Sequence, residues 1–435
     1  MAHIIPFRGF RYDSGKVDGI SNVVAPPYDR VYPDVQEACY ARSPHNVVRI
    51  IKGKASEDDG DSSNVYTRAA EHLRDWIGSD VLVRDPEPGI YAYHQTYAFG
   101  GERLTRKGIV ALGRVEPENV HAHEKTLRGP REDRLRLMRA TEANFGHIFM
   151  LFSDPQRAAD RAVASAIEGR APDVEALDAD GNEHRMWRIT EAATISAVGQ
   201  ALSDKDLYIA DGHHRYETAV NFMRECRAAG WKPAAPESFD VRMMTLFNID
   251  EPGMSIRPIH RMVHGVDGFE FDRFLQRAEE QFIVERHTSL DDLVKATAAG
   301  RESHTFGCAA VSGFAALRLR PEIDPASLVS SDRSEDYAQL DVSVLHSAIL
   351  DGLLGIDARA LEEQTHVTYT VDAGAGMSKV ESGEEQMLLI LNATSAAEVV
   401  RVADHGEKMP QKSTDFYPKL LTGMVLSVME IDKGE

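Results

Sequence analysis

Cysteine is scarce in this chain of 435 residues, which has three, Cys39, Cys226 and Cys308. None of them lies in a C-x-x-C pair. An odd and sparse set argues against a disulfide framework and against a cysteine-based zinc site. It is typical of a reducing compartment, and we expect a cytoplasmic location.

Long apolar runs are also missing. None approaches the roughly 20 residues of a membrane-spanning helix, so we expect no membrane partner. The first residues, MAHIIPFRGFRYDSG, do not place a long apolar segment after a basic one. We therefore expect no signal peptide.

Positive charge is in deficit, with 49 Lys and Arg against 69 Asp and Glu and a net charge of −20. A protein that coats DNA needs a basic face to replace the counterions of the phosphates. The balance therefore argues against a general DNA-binding role. It mainly promotes solubility.

Three common catalytic motifs are absent. The sequence contains no G-x-x-x-x-G-K-[ST] loop, no G-x-G-x-x-G turn and no G-x-S-x-G elbow. If a nucleotide binds, residues outside these motifs must hold it.

The composition is that of a globular protein, with 43% hydrophobic and 27% charged residues. The length exceeds that of one ordinary core. Strand and helix patterns are mixed throughout, which predicts an α/β or α+β fold. We expect a first domain with insertions at 1–265 and a C-terminal α/β portion at 266–435 that returns to the site.

Apolar periodicity and turn residues predict the individual elements. The main predictions are strands at 22–31 and 47–53, a helix at 61–80, a hairpin at 89–115 turning at Gly100-Gly101, a strand around 148–152, a strand at 241–253, an amphipathic helix at 268–282, a helix at 340–350 and a strand at 387–394.

The segment YIADGHHRYETAV at 208–220 concentrates polar groups where an apolar strand ends and a helical pattern begins. Gly212 allows a positive φ or a close backbone approach. The N–H groups of a helix start favour an anion, and Arg215 could clamp a phosphate. His213 and His214 could donate, exchange protons or bind metal, and Asp211 could orient a histidine or hold a cation. A solvated turn is the alternative.

A second candidate is HAHEKT at 121–126. In an extended strand, His121 and His123 would share a face and could bind a transition metal. Glu124 could act as acid or base or hold Mg²⁺, and Lys125 and Thr126 could reach a phosphate. Arg131 follows in a local basic cluster, RGPREDR, for which a locally paired, solvated loop is the alternative.

Two further segments carry candidate groups. Pro26 and Pro27 place Tyr28 and Asp29 on a stiff turn, which suits a fixed carboxylate for a metal or a substrate hydroxyl. Near the C-terminus, clustered lysines and hydroxyls suit phosphate, although a solvated tail would have the same composition; they are Lys408, Lys412, Ser413, Thr414 and Lys419.

The motif DGHHR resembles the anion-binding motif of the ParB and sulfiredoxin-like superfamily, which includes archaeal free-serine kinase. That resemblance implies a nucleotide-binding core with large insertions. Over nearly its full length the chain also resembles the family of domain of unknown function 1015. The segments that carry this resemblance are IIPFRGF, VAPPYD, HEKTLRGPREDRLRLMRATEANFGHIF, ADGHHRYETA, IRPIHR and GEKMPQKSTDFYPKL.

These resemblances and residues lead to one main hypothesis, a Mg²⁺-dependent phosphotransferase that uses ATP or ADP and a small hydroxyl compound such as L-serine. Asp29 or Glu124 would accept the hydroxyl proton or hold the metal, and His213 and His214 would contact the phosphates. Two alternatives stay open: a nucleotide-binding regulatory module without catalysis, and a metal-dependent hydrolase.

Overall fold

The computed structural model describes residues 3–116, 118–122 and 128–434, with the backbone alone for Arg128 and Pro130. The chain forms two compact units, Met1–Ser255 with Pro418–Glu435, and Ile256–Tyr417. This division differs from the single boundary at 265/266 that the sequence suggests. The last residues belong to the first unit because their short strands pair with strands of that unit.

The strands follow one another in this order: β1 Ile4–Ile5, β2 Phe10–Tyr12, β3 Leu82–Arg84, β4 Ile90–Phe99, β5 Glu102–Arg114, β6 Val120–Ala122, β7 Ala143–Asn144, β8 Ile148–Phe152, β9 Val174–Leu177, β10 Glu183–Ile189, β11 Leu207–Asp211, β12 Lys232–Pro233, β13 Val241–Asn248, β14 Ser255–Arg257, β15 His260–Val263, β16 Phe282–His287, β17 Thr305–Ala310, β18 Gly313–Leu319, β19 Val367–Thr370, β20 Met387–Ile390, β21 Asp415–Tyr417, β22 Ser427–Val428 and β23 Ile431–Asp432.

The α-helices are α1 Pro33–Arg42, α2 Val48–Ile51, α3 Val65–Gly78, α4 Arg128–Thr141, α5 Ala158–Ile167, α6 Ala192–Leu202, α7 His213–Ala228, α8 Phe271–Ala278, α9 Leu290–Ala299, α10 Glu335–Ala338, α11 Asp341–Val344, α12 Ala358–Glu363, α13 Ala373–Glu381 and α14 Ala396–Asp404. A π-helical turn, Leu345–Asp351, continues α11. The mixture of sheets and helices confirms the predicted α/β class.

The first unit is built on a mixed sheet with strand order β6-β11-β8-β13-β5-β4-β10-β9, and β1 pairs with β5. β6 runs parallel to β11 and β8 parallel to β13, whereas the other neighbours are antiparallel. Every residue of β8 and β13 is buried, as expected for central strands covered on both faces. This arrangement places the end of β11 beside the centre of the sheet.

Several local predictions are confirmed. The predicted helix at 61–80 is confirmed as α3, and Asn64 caps it by accepting from the N–H groups of Tyr66 and Thr67. β4 and β5 form the predicted hairpin, and both turn glycines have positive φ, 60° for Gly100 and 84° for Gly101. A two-residue turn of this kind matches the twist of the paired strands.

Two strand predictions were wrong. In 22–31, only Ala25 pairs in β fashion, through an isolated bridge to Thr422, because the two prolines that follow have no N–H to extend a ladder. Short 3₁₀ turns flank it at Ile20–Asn22 and Tyr28–Arg30. The run at 47–53 forms the buried helical turn α2, since a short apolar run does not by itself separate strand from helix.

The second unit contains a six-stranded antiparallel sheet of order β16-β18-β17-β20-β15-β19. Leu293 of α9 and Val380 of α13 pack with Leu388 and Ile390 of β20 in its core. The predicted strand at 387–394 and the helix at 268–282 are confirmed as β20 and α8, each shorter than predicted.

All three cysteines are buried and unpaired in the described chain. Within the same described ranges, no helix is both long enough and apolar enough to cross a lipid bilayer.

Candidate functional site

The DGHHR motif lies in the first unit as a strand, one glycine and a helix, as the sequence predicts. Residues 207–210 of β11 are buried, and α7 begins at His213. Gly212 caps the helix with a φ of +95°. The positive φ favours glycine, and a Cβ atom there would also be tight, at 3.0–3.1 Å from the guanidinium of Arg215.

Arg215 is buried and forms hydrogen bonds within the first unit. Its Nη2 donates to Oδ2 of Asp211 at 2.8 Å, and its Nη1 donates to the carbonyl of His147. Gly146 leaves room for this group, since a Cβ atom there would lie 3.1 Å from Nη1. The side chain that the sequence suggests as a phosphate clamp therefore also holds α7 to the start of β8.

Asp211 is surrounded by cations. Lys419 places Nζ 3.5 Å from Oδ1, and Arg30 and His213 also act on the carboxylate. Burial alone would raise the pKa of Asp211, but the field of Lys419, then Arg215, His213 and Arg30, holds it well below its ordinary value. Lys419, Arg215 and Arg30 are permanent cations, so the start of α7 gathers several positive charges around the Asp211 carboxylate.

His214 lies half-buried near two carboxylates. Burial lowers its pKa, whereas Asp29 and Glu217 act in the opposite direction. A lowered pKa keeps this imidazole mainly neutral at pH 7, so it can accept or donate a proton. Asp29 itself is exposed, at the edge of the site. The structure thus brings the PPYDR and DGHHR segments together.

Tyr28 links the same segment to α4. The guanidinium of Arg134 lies 4.2 Å from the centre of its ring. Burial, followed by Asp29, raises the pKa of Tyr28 to about 12, against the opposite effect of Arg215 and Arg134. Its hydroxyl is therefore neutral at pH 7.

Two candidates of the 121–131 region, Arg131 and His121, lie among the described residues and have different partners. Arg131 forms an ion pair with Glu217 of α7, with 2.8 Å between Nη1 and Oε2. His121 contacts Asp206 at 3.2 Å and stacks on Tyr208. The other predicted residues of this region lie outside the described residues: His123, Glu124, Lys125 and Thr126.

Metal binding has limited support among the residues that the structure describes. These residues contain no cluster of three or more His, Cys, Asp or Glu side chains that could hold an ion. Asp29 offers an exposed carboxylate. One or two carboxylates together with substrate phosphates are the usual protein ligation of Mg²⁺, so Asp29 fits a Mg²⁺ that arrives with a nucleotide.

The C-terminal candidates fall in different units. Lys419 belongs to the first unit and reaches Asp211. Lys412, Ser413 and Thr414 belong to the second, where Ser413 is buried and donates to the carbonyl of Pro410. A phosphate-binding role for these three residues stays a prediction.

Sequence reasoning missed Arg242, on β13. This arginine is 4% exposed and lines a cavity together with Arg215. The available signal was a charged residue inside the apolar run VRMMTLF. A buried charge without a partner is costly, and such a residue marks a candidate binding site.

Residues 4–343 match the model of a family described as protein of unknown function DUF1015. The chain belongs to this family, as the six motifs suggest. No curated protein matches the chain.

Some solved structures are similar at a lower level. "Free serine kinase in complex with AMP" aligns with a TM-score of 0.34 and 11% identity, over 72% of this chain and 89% of that one. "Conserved hypothetical protein from Pyrococcus furiosus" aligns with a TM-score of 0.32 and 13% identity, over 70% and 89%. "SbnI with C-terminal truncation from Staphylococcus aureus" gives 0.32 and 10%, over 72% and 85%. Similarity of this size carries no argument about the activity of this chain.

Proposed function

We propose that the first unit binds a nucleotide at the start of α7 and transfers its terminal phosphoryl group to a small hydroxyl compound. The observation that carries the proposal is the group of cations at the start of α7, where Lys419 and Arg215 contact the Asp211 carboxylate and Arg30 also acts on it. Phosphoryl transfer depends mainly on positioning and on neutralising phosphate oxygens.

The start of α7 supports the nucleotide part of the proposal. The cap residue Gly212 brings no side-chain acceptor to the first turn. The backbone N–H groups and the helix dipole of such a turn favour an anion. Lys419, 16% exposed, is held beside this turn by Asp211. Together these groups fit the phosphates of ATP or ADP.

Asp29 and His214 supply the acid–base chemistry in this proposal. The acceptor hydroxyl gives its proton to the Asp29 carboxylate, and its oxygen forms a bond to the terminal phosphorus. The bond from that phosphorus to the bridging oxygen breaks, and the shortened nucleotide leaves with the electron pair. Neutral His214 stands near Asp29 and can pass the proton on. Mg²⁺, when bound, would offset phosphate charge.

The direct test incubates the purified chain with ATP or ADP, Mg²⁺ and single hydroxy acids or hydroxy amino acids, L-serine among them. Phosphorus NMR would show a new phosphomonoester that grows as the nucleotide is shortened. Tight nucleotide binding with no phosphomonoester across the panel would contradict catalysis and favour a regulatory nucleotide-binding module. Absence of both binding and turnover would contradict the proposal as a whole.

A further inference from the structure

A small cavity of about 40 Å³ lies within the first unit, close to the start of α7. Its polar wall includes Tyr28, Arg134, Arg215 and Arg242. The lining also includes apolar side chains, among them Leu137 and Phe145 of the α4–β8 region. Three arginines thus line a space that holds only a few heavy atoms.

Arg242 differs from the other two arginines in its partners. Arg215 pairs with Asp211, and Arg134 pairs with Asp133 at 2.5 Å. Among the residues that the structure describes, Arg242 has no carboxylate within ion-pair distance. It donates from Nη2 to the carbonyl of Gly146 at 3.2 Å, and its Nε and Nη1 are buried without an acceptor.

The charge of Arg242 therefore lacks compensation. Burial, followed by Arg215, lowers its pKa to about 9, which still leaves the group cationic at pH 7. An isolated buried charge is strongly unfavourable unless it is paired. Arg106, on the adjacent strand β5, differs from Arg242 because its guanidinium donates to Gln95 and to the carbonyl of Pro418 and lies over two phenylalanine rings.

We propose that Arg242 and this cavity bind the carboxylate of a small organic acid. Its single negative charge would balance Arg242, which among the three arginines that line the cavity is the one without a described carboxylate partner. The volume suits a carboxylate better than a nucleoside. The apolar side chains fit a short carbon chain. Only the role of this acid as the phosphoryl acceptor rests on the proposed function. Binding of the acid requires no catalysis.

The test compares pairs of compounds that differ in the carboxylate: D-glycerate with glycerol, and L-serine with ethanolamine. Isothermal titration should show binding of at least one of the two acids and of neither partner lacking the carboxylate. Arg242→Met should weaken binding of that acid by at least about tenfold, equivalent to about 1.4 kcal/mol, and leave ADP affinity unchanged. The control Arg114→Met removes an exposed arginine of β5 and should change neither affinity.

Folding of the variant is itself informative. Removing an uncompensated charge should leave the melting temperature of the ligand-free protein unchanged or raised, whereas a structural arginine would lower it on removal. If Arg242→Met does not fold, Arg242→Lys replaces it in the test. The subsite assignment then stands only if Arg242→Lys folds and binds the acid more weakly than the wild type. Glycerol binding as tightly as glycerate, or unchanged acid binding in the variant, would overturn the proposal.

Two outcomes separate this inference from the phosphotransferase proposal. Acid binding that depends on Arg242, without phosphoryl transfer, keeps the subsite and contradicts the kinase. Phosphoryl transfer with an unchanged KM for the acceptor in Arg242→Met keeps the kinase and contradicts the subsite. Inorganic phosphate that binds more tightly than either acid, and depends on Arg242, would overturn the carboxylate assignment.

Discussion

Lys419 and Asp211 meet in the first unit, with 3.5 Å between Nζ and Oδ1, although they lie far apart along the chain. Arg215 occupies the other carboxylate oxygen, Oδ2, at 2.8 Å. The carboxylate thereby fixes two cations at the start of α7. In the proposed site, Asp211 positions the two cations and Lys419 would contact the phosphates of the ligand.

Lys419→Met should weaken ADP binding by about tenfold or more, or about 1.4 kcal/mol, because it removes a cation from the proposed phosphate site. Isothermal titration measures the change. The control Lys433→Met removes a more exposed lysine of the same C-terminal segment, paired with Glu142, and should leave ADP affinity unchanged. Equal affinity for ADP in wild type and Lys419→Met would contradict a phosphate-binding role.

Asp29→Asn tests the proposed base. The exposed side chain contributes little to packing, so the variant should fold normally while kcat falls by about 100-fold or more. Asp34→Asn, an exposed carboxylate in the first turn of α1, is the matched control. A parallel loss of Mg²⁺-dependent ADP affinity would assign Asp29 to the metal, and an unchanged kcat would contradict both roles.

Gly212→Ala should destabilise the protein by about 1–3 kcal/mol, because alanine is strained at positive φ and its Cβ would press on the Arg215 guanidinium. Urea unfolding measures the free energy of unfolding. Gly199→Ala, in the interior of α6 with open space at its Cβ position, should instead stabilise by about 0.5–1 kcal/mol. Similar effects at both positions would show that the special conformation of Gly212 has no energetic consequence.

His147 predicts a pH dependence of stability. Burial, with Arg215 and Arg242 nearby, lowers its pKa to about 3, below an unfolded value of about 6.5. Between these two pKa values the unfolded chain binds more protons than the folded chain. The contribution of His147 to the free energy of unfolding is therefore complete above about pH 6.5. It is lost as the pH falls, by up to about 1.4 kcal/mol per pH unit.

The variant His147→Gln should therefore have a flatter dependence of unfolding free energy on pH between about pH 7 and pH 5 than the wild type. Measurements near pH 8, where the histidine is neutral in both states, give the reference difference that packing and the hydrogen bond to Thr245 alone produce. Parallel pH profiles for the two proteins would contradict the lowered pKa of His147.

Much of the local structure was predictable from the sequence because its causes are local. Asn64 caps α3, Gly100-Gly101 turns the β4–β5 hairpin, and Gly212 separates β11 from α7, each through the conformational preferences of a few neighbouring residues. The run 47–53 failed as a strand prediction because its tertiary surroundings, and not its apolar pattern, decided between strand and helix.

The sequence by itself determined the family, the mixed α/β class and the strand–glycine–helix motif with its polar residues. Only the tertiary structure decided which distant groups meet there: Tyr28 with Arg134, Lys419 with Asp211, and Arg242 with the cavity. Apolar periodicity specifies which faces are buried, but it does not specify which charged side chains share a space. Those encounters follow from strand order and from the return of residues 418–435 to the first unit.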